Sequence, residues 1–218
     1  MKKTALFLVP VLLFLLQYAN AQDSKLALEN VSFGIKGGIN LADMIPNPSH
    51  PVDKRTAGHF GVFSNVSVTE QFSFQPELLI SMQGGKQHTT MEGMDYKFTS
   101  DEKITYLTLP LMGQYRATEK FYIEAGPQLG FRLASSYKFQ TLDDGEVIHE
   151  AEEDTKEHRE FFELGISLGV KYSISNRLFA GLRYNYGITP LNVYKEAVKL
   201  RNSVIQPSIG FSLYDLTD

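Results

Sequence analysis

The chain has 218 residues, 43% of them hydrophobic and 21% charged, with no cysteine and a formal net charge of −4. That length fits one domain, and the lack of cysteine excludes a disulfide scaffold or a lipid-modified N-terminus. The acidic balance leaves no basic excess of the kind nucleic acid requires, so no nucleic-acid partner is expected.

The first residues, MKKTALFLVPVLLFLLQYANAQ, combine the positive Lys2 and Lys3, an apolar run from Ala5 to Leu16, and Ala19-Asn20-Ala21. This is the pattern of a secretory signal peptide cleaved after Ala21. The apolar run is shorter than the roughly 20 residues that a spanning helix needs. Residues 1–21 are therefore read as a signal peptide and residues 22–218 as a single domain, made more acidic by the loss of the two lysines.

Beyond a polar lead-in, eight segments alternate apolar and polar residues with the period of a β-strand. The first, VSFGIKGGINLA, sets Val31, Phe33, Ile35, Ile39 and Leu41 against Ser32, Lys36 and Asn40. Asp43 to Thr56 holds Pro46, Pro48 and Pro51, which oppose ladder pairing and mark a long loop. The second strand, AGHFGVFSNVSV, is joined through Thr69-Glu70-Gln71 to the third, FSFQPELLISMQGG. There Phe74, Pro76, Leu78, Ile80 and Met82 alternate with Gln75, Glu77, Ser81 and Gln83. Lys86 to Lys103 is polar and reads as a loop with a strand extension near Tyr96 to Phe98.

The fourth strand, ITYLTLPLMGQYR, puts Leu107, Leu109 and Leu111 outside and Thr108 and Gln114 inside. After a short turn at Ala117 to Lys120, the fifth strand is FYIEAGPQLGFRL. Its face Ile123, Ala125, Pro127, Leu129, Phe131 and Leu133 is apolar; Glu124, Gln128 and Arg132 lie opposite. Helical spacing would scatter Glu124 and Arg132 among the apolar residues, so the segment is a strand. Ser135 to His158 is an acidic loop. The sixth strand, REFFELGISLGVKY, sets Phe162, Leu164, Ile166, Leu168 and Val170 against Glu163, Ser167 and Lys171. A turn at Ser173 to Arg177 leads to the seventh, LFAGLRYNYGI, with Arg183 and Asn185 on the polar face. A loop from Thr189 to Arg201 precedes the eighth, SVIQPSIGFSL.

Connections between the eight strands alternate long and short along the whole chain. A soluble β-sandwich has no reason for that regularity, whereas a transmembrane barrel has short turns at one rim and long loops at the other. The expected fold is all-β: an eight-stranded antiparallel up-and-down transmembrane β-barrel of the smallest class. It would sit in an outer membrane, with periplasmic termini and extracellular long loops.

With the apolar face turned to lipid, the lumen collects Lys36, Glu77, Glu124, Arg132, Glu163, Lys171 and Arg183. The interior of an eight-stranded barrel is just wide enough for its own side chains, and unpaired charges there cost several kcal/mol. A structural salt-bridge network is expected, with Arg183, Glu77, Glu124 and Glu163 at its centre. Inward glycines, among them Gly34, Gly38, Gly126 and Gly210, would give the long side chains room. The numerous tyrosines, including Tyr106, Tyr115, Tyr172 and Tyr184, suit the aromatic girdles at the membrane interface.

The segments FSFQPELLISMQGGK, YLTLPLMGQY, FYIEAGPQLGF, LGISLGVKY and LRYNYGIT resemble the PorT-like outer-membrane β-barrel family, and SFGIKGGINLA resembles its usual first strand. The resemblance covers nearly the whole mature chain; PELL and GPQLG are its most specific parts. It implies an eight-stranded outer-membrane barrel without a transferable catalytic motif, in a family whose name-giving member is linked to protein secretion and gliding motility. Two features depart from the family. Thr108 stands where members often carry an inward acid, and the chain ends FSLYDLTD without a terminal aromatic, leaving Phe211 or Tyr214 as the insertion signal.

The expected function is therefore non-enzymatic: loops or rims serve envelope interaction or assembly, linked to secretion by the resemblance. The alternative is a small passive channel for ions or small solutes. A hydrolase built on His59, His88, His149 or His158 lacks an evident nucleophile. The acidic stretch Asp143 to Glu157 lacks calcium-loop spacing. No cofactor, metal or catalytic residue is assigned. The expected partners are outer-membrane lipid and lipopolysaccharide, the barrel-insertion machinery during biogenesis, and envelope or secretion proteins.

Overall fold

Alternating side chains can bury one strand face and solvate the other, but an isolated sheet leaves its edge amides unpaired, which lipid does not tolerate. The chain resolves this by closing. The computed structural model describes residues 31–45, 52–90, 96–143, 146–193 and 199–215. The signal-peptide segment and the prolines Pro46, Pro48 and Pro51 lie outside them. Ten strands follow in order: β1 (Val31–Ile45), β2 (Val52–Asp53), β3 (Arg55–Ser67), β4 (Phe72–Thr90), β5 (Tyr96–Arg116), β6 (Phe121–Asp143), β7 (Glu146–Asp154), β8 (Phe162–Ser173), β9 (Leu178–Gly187) and β10 (Arg201–Asp215). A 3₁₀ turn at Lys156–His158 separates β7 from β8.

Eight of them form a ring in the order β4-β3-β1-β10-β9-β8-β6-β5, and β5 pairs back onto β4. Every pairing is antiparallel. The seam between first and last strands runs from Ser32 opposite Asp215 to Ile45 opposite Arg201. The ring is inside out relative to a soluble sandwich. Ile209 is 61% exposed and Phe60 59%, whereas Glu77 and Arg183 are each 2% exposed. Phe211 also points outward; the side chain of Tyr214 lies outside the described residues.

Three short turns share one construction. Thr69 Oγ1 accepts the amides of Gln71 and Phe72, Thr118 Oγ1 those of Lys120 and Phe121, and Ser175 Oγ those of Arg177 and Leu178. A hydroxyl at the same turn position thus closes each hairpin at this rim.

At the opposite rim the strands continue where loops are expected. Residues 86–90 pair with 97–101 in a ladder that reaches Thr90 opposite Lys97 and takes in the extension expected near Tyr96 to Phe98, and β6 beyond Ser135 pairs with β7. Above Phe131 opposite Phe162, β6 exchanges its neighbour β8 for β7. The result is a protruding sheet, β2-β4-β5-β6-β7, standing above the ring. Its sequence is mostly polar, with a few aromatics between charged residues; Phe98 stacks on Phe139 at 5.9 Å. The continuous apolar face of the lipid-crossing strands does not extend here, although the hydrogen-bond ladder does.

Gly84, on β4 below this sheet, has φ +126°. A Cβ there would also collide with the backbone carbonyl of Glu102. Gly84→Ala is expected to cost about 1–3 kcal/mol from the backbone conformation alone, read as a lowered urea midpoint of the refolded barrel.

Tyr106 does not join an aromatic girdle. It is fully buried and packs with Met44, Ile104 and Leu191 into an apolar cap inside the loop end of the ring. Tyr115, Tyr172 and Tyr184 do lie on the outer surface, and Tyr115 packs against Phe72 at a centroid distance of 5.1 Å near the turn rim.

Candidate functional site

The lumen is a stack of side chains. Nearest the turns, Phe63 on β3 and Phe179 on β9 meet edge to face at 5.5 Å. Gly34 and Gly210 admit them: a Cβ at either position would run into these rings. At these two inward glycines the space a side chain would take is filled by an aromatic ring.

The ionic layer follows. Glu77 accepts Lys36 Nζ on both oxygens at 3.2 Å, Arg183 Nη1 and Nη2 at 3.0 and 2.9 Å, and Gln75 Nε2 at 2.7 Å. Glu124 accepts Arg183 Nε at 2.9 Å and Gln114 Nε2 at 2.9 Å. Gln114 in turn accepts Lys171 Nζ at 2.6 Å. The line Lys36–Glu77–Arg183–Glu124–Gln114–Lys171 draws on β1, β4, β9, β6, β5 and β8, so it braces opposite walls of the ring. Arg183 presents its planar fork to two carboxylates at once, a geometry that lysine cannot reproduce.

An uncharged layer lies above. Asn40 Nδ2 donates to Ser81 Oγ at 3.0 Å and to the Met82 carbonyl at 2.6 Å. Asn40 Oδ1 accepts Gln206 Nε2 at 2.8 Å and lies 2.8 Å from His59 Nδ1. Asn185 joins Gln206 and Ser167. Higher still, Asn202 Nδ2 donates to Glu163 Oε2 at 2.7 Å, beneath the apolar cap.

The seven charges expected in the lumen therefore separate. Lys36, Glu77, Glu124 and Arg183 form one ionic cluster, and Lys171 reaches it through glutamines. Glu163 is buried but belongs to the Asn202 cluster and makes no ion pair among the described residues. Arg132 is not part of the network either. Its guanidinium donates to the carbonyls of Lys156, Arg159 and Glu160, holding the segment between β7 and β8. A bulge at Thr105/Tyr106 sets this rim apart from the regular lumen. Thr108, where the family resemblance calls for an acid, points inward and donates to the Leu79 carbonyl at 3.4 Å.

The sequence reading missed the glutamines and asparagines that relay the network, and it missed Arg159, whose Nε and Nη2 donate to the two carboxylate oxygens of Glu102. Inward phase was legible for Gln75 and Gln114. The Glu102–Arg159 pair had no local signal, because its partners are 57 residues apart.

Of the four histidines considered, His59 lies inside the ring, His149 and His158 are exposed above it, and the side chain of His88 lies outside the described residues. Among the described residues no group of three His, Cys, Asp or Glu could hold a metal ion. The β7 carboxylates are spread along an extended strand: Glu150 pairs with Lys138 at 2.8 Å, Glu152 accepts Ser136 Oγ and Asp154 pairs with Lys156.

On this protruding sheet, the hydrogen bond from Lys138 holds the Glu150 carboxyl below its ordinary range, with help from Gln140. A depressed carboxyl contributes stability above its ordinary pKa and loses it as pH falls through the depressed value. Amide protection along β7, corrected for intrinsic exchange, is expected to hold from neutrality to about pH 5 and to fall below about pH 4. Unchanged protection at pH 3 would show that the pair does not order the hairpin.

A polar cavity of about 210 Å³ opens at the turn rim, below Phe63 and Phe179. Lys171, Arg177, Asn65 and Ser212 are among its walls.

No curated protein sequence matches the chain. Among solved structures, it is similar to Ail, the attachment invasion locus protein of Yersinia pestis, at 11% identity and a TM-score of 0.45, over 85% of this chain and 99% of that one. It is also similar to the Neisserial surface protein A, at 13% identity and a TM-score of 0.40, over 85% of this chain and 100% of that one. For OprG of Pseudomonas aeruginosa the identity is 11% and the TM-score 0.34, over 85% and 96%. Residues 20–192 match the family described as "Outer membrane protein beta-barrel domain". That match spans most of a chain whose apolar residues face outward from a closed eight-stranded ring; the protein belongs to the outer-membrane β-barrel family, and its place is the outer membrane.

Proposed function

We propose that this barrel is a non-enzymatic interaction or assembly factor of the envelope, working through the protruding sheet rather than through its lumen. One observation carries the reading: above the turn-rim cavity the ring is filled by side chains, while β7 presents an exposed strand edge outside it. Among the described residues β7 pairs on its β6 side alone, and it displays Val147 and Ile148, half exposed, among Glu146, Glu150, Glu152, Glu153 and Asp154. An open edge offers main-chain hydrogen bonds to a partner strand, and its charge selects against indiscriminate pairing.

We further infer membership of the PorT-like branch, on PELL at 76–79 and GPQLG at 126–130. The accompanying orientation has periplasmic termini, short turns on the periplasmic side and the sheet outside a Gram-negative cell. The partners in this reading are outer-membrane lipid and lipopolysaccharide around the ring, the insertion machinery during biogenesis, and an envelope or secretion protein at the sheet.

The test is a photo-crosslinking residue at Ile148 in living cells, compared with one at the lipid-facing Ile209. A discrete protein adduct at 148 and none at 209 is the expected result. Adducts absent at 148, in a barrel that folds and inserts, would remove the sheet as the working surface.

A further inference from the structure

We propose that the cavity at the turn rim binds a phosphate-sized anion. Among the described residues that line it, five are serines, two are basic and none is acidic. The rings of Phe63 and Phe179 form part of its wall, lending it a low-dielectric side on which a fixed charge acts more strongly than in water.

The charge comes from Lys171. Within the ionic line three cations, Lys36, Arg183 and Lys171, meet two carboxylates. Both carboxylates are taken by the other two: Glu77 by Lys36 and Arg183, Glu124 by Arg183. Lys171 is 9% exposed and has no carboxylate within ion-pair distance among the described residues. Its ammonium rests on neutral groups, the carboxamide oxygens of Gln114 at 2.6 Å and Gln75 at 3.4 Å, and the ring faces of Tyr122 at 4.6 Å and Phe179 at 5.2 Å. A buried cation held this way retains much of its attraction for an anion in the adjacent space.

A second, independent feature points to the same cavity. Ser212, also 9% exposed and part of its wall, has a buried hydroxyl oxygen with no hydrogen-bond partner among the described residues. A buried hydroxyl without a partner is costly, and an anion oxygen would accept its proton. Lone lysine, orphan hydroxyl and a described lining without acids together define an oxyanion site, closed on the lumen side by Phe63 and Phe179 and therefore suited to binding rather than conduction.

The chemistry is shared by free phosphate and by a phospholipid headgroup reaching over the rim. The experiment uses the full mature chain, refolded in phosphate-free neutral detergent, with inorganic phosphate titrated by calorimetry. Saturable binding at one site is expected. Lys171→Gln should weaken it by about tenfold or more, the loss of one charge-assisted contact, and Ser212→Ala by about threefold or more. Lys138→Gln, on the protruding sheet, should leave it unchanged. Repeating the titration in phosphatidylglycerol and in phosphatidylcholine nanodiscs separates the sources. Competition by the anionic lipid assigns the site to a headgroup, and its absence assigns it to a free anion. No saturable binding, or binding equal in Lys171→Gln and the parent, would overturn the proposal. Ser212→Ala removes a single oxygen and keeps the test decisive if Lys171→Gln fails to insert.

Discussion

Replacing Arg183 with methionine is expected to destabilise the barrel by about 3–5 kcal/mol, the range for removing one partner of a buried ion pair. The guanidinium is 2% exposed and makes three hydrogen bonds, two to Glu77 and one to Glu124. Its loss leaves two carboxylates buried near one another with only Lys36 and two glutamines to satisfy them. The measurement is the urea unfolding free energy of the chain refolded into lipid vesicles, with folding scored by heat-shifted gel mobility. Adding Glu77→Gln to Arg183→Met should recover part of the loss, because it removes one of the stranded charges. The two substitutions should therefore be strongly non-additive. A cost below about 1 kcal/mol for Arg183→Met would mean that the ionic layer fills space without bracing the ring.

The second large effect is on conductance. The refolded chain in a planar bilayer is expected to show no steady openings, because an aromatic floor, an ionic layer, a carboxamide layer and an apolar cap succeed one another along the lumen. Barrels with open aqueous channels have many more strands. Phe63→Ala with Phe179→Ala removes only the floor, so this variant should also stay closed. Steady openings of the parent chain that change when Arg183 or Glu124 is replaced would sink the filled-barrel reading and restore the small-channel alternative.

How much of this was legible beforehand follows from the physics of each face. On β6, Ile123, Ala125 and Pro127 against Glu124 and Gln128 announce a strand with lipid on one side, because the environment itself alternates across the wall. The same holds for Lys36, Glu77, Lys171 and Arg183, each inward by parity alone. Parity cannot say how far up the lumen a side chain sits. Glu163 has the same phase as Lys171 and lies on the same strand, yet it ends beside Asn202, away from the ionic layer. Arg132 also has the inward phase, but the bulge beside it and the carbonyls between β7 and β8 claim its guanidinium.

The strand extensions were only partly legible, for a different reason. Near Tyr96 to Phe98 the pattern announces one, and the ladder runs through it. From Ser135 to Asp154 polar and acidic residues such as Lys138, Gln140, Glu150 and Glu152 outweigh Tyr137 and Phe139, so a paired segment outside the lipid reads as a loop.

By itself, then, the sequence determined the class of fold, the outward face and the inward set of charges, because lipid imposes a two-residue period that local composition records. Only the tertiary structure decided which charges meet. Arg183 and Glu77 stand 106 positions apart and are brought within 3.0 Å by ring closure, strand tilt and register. Those are properties of the closed sheet as a whole, and no segment carries them alone.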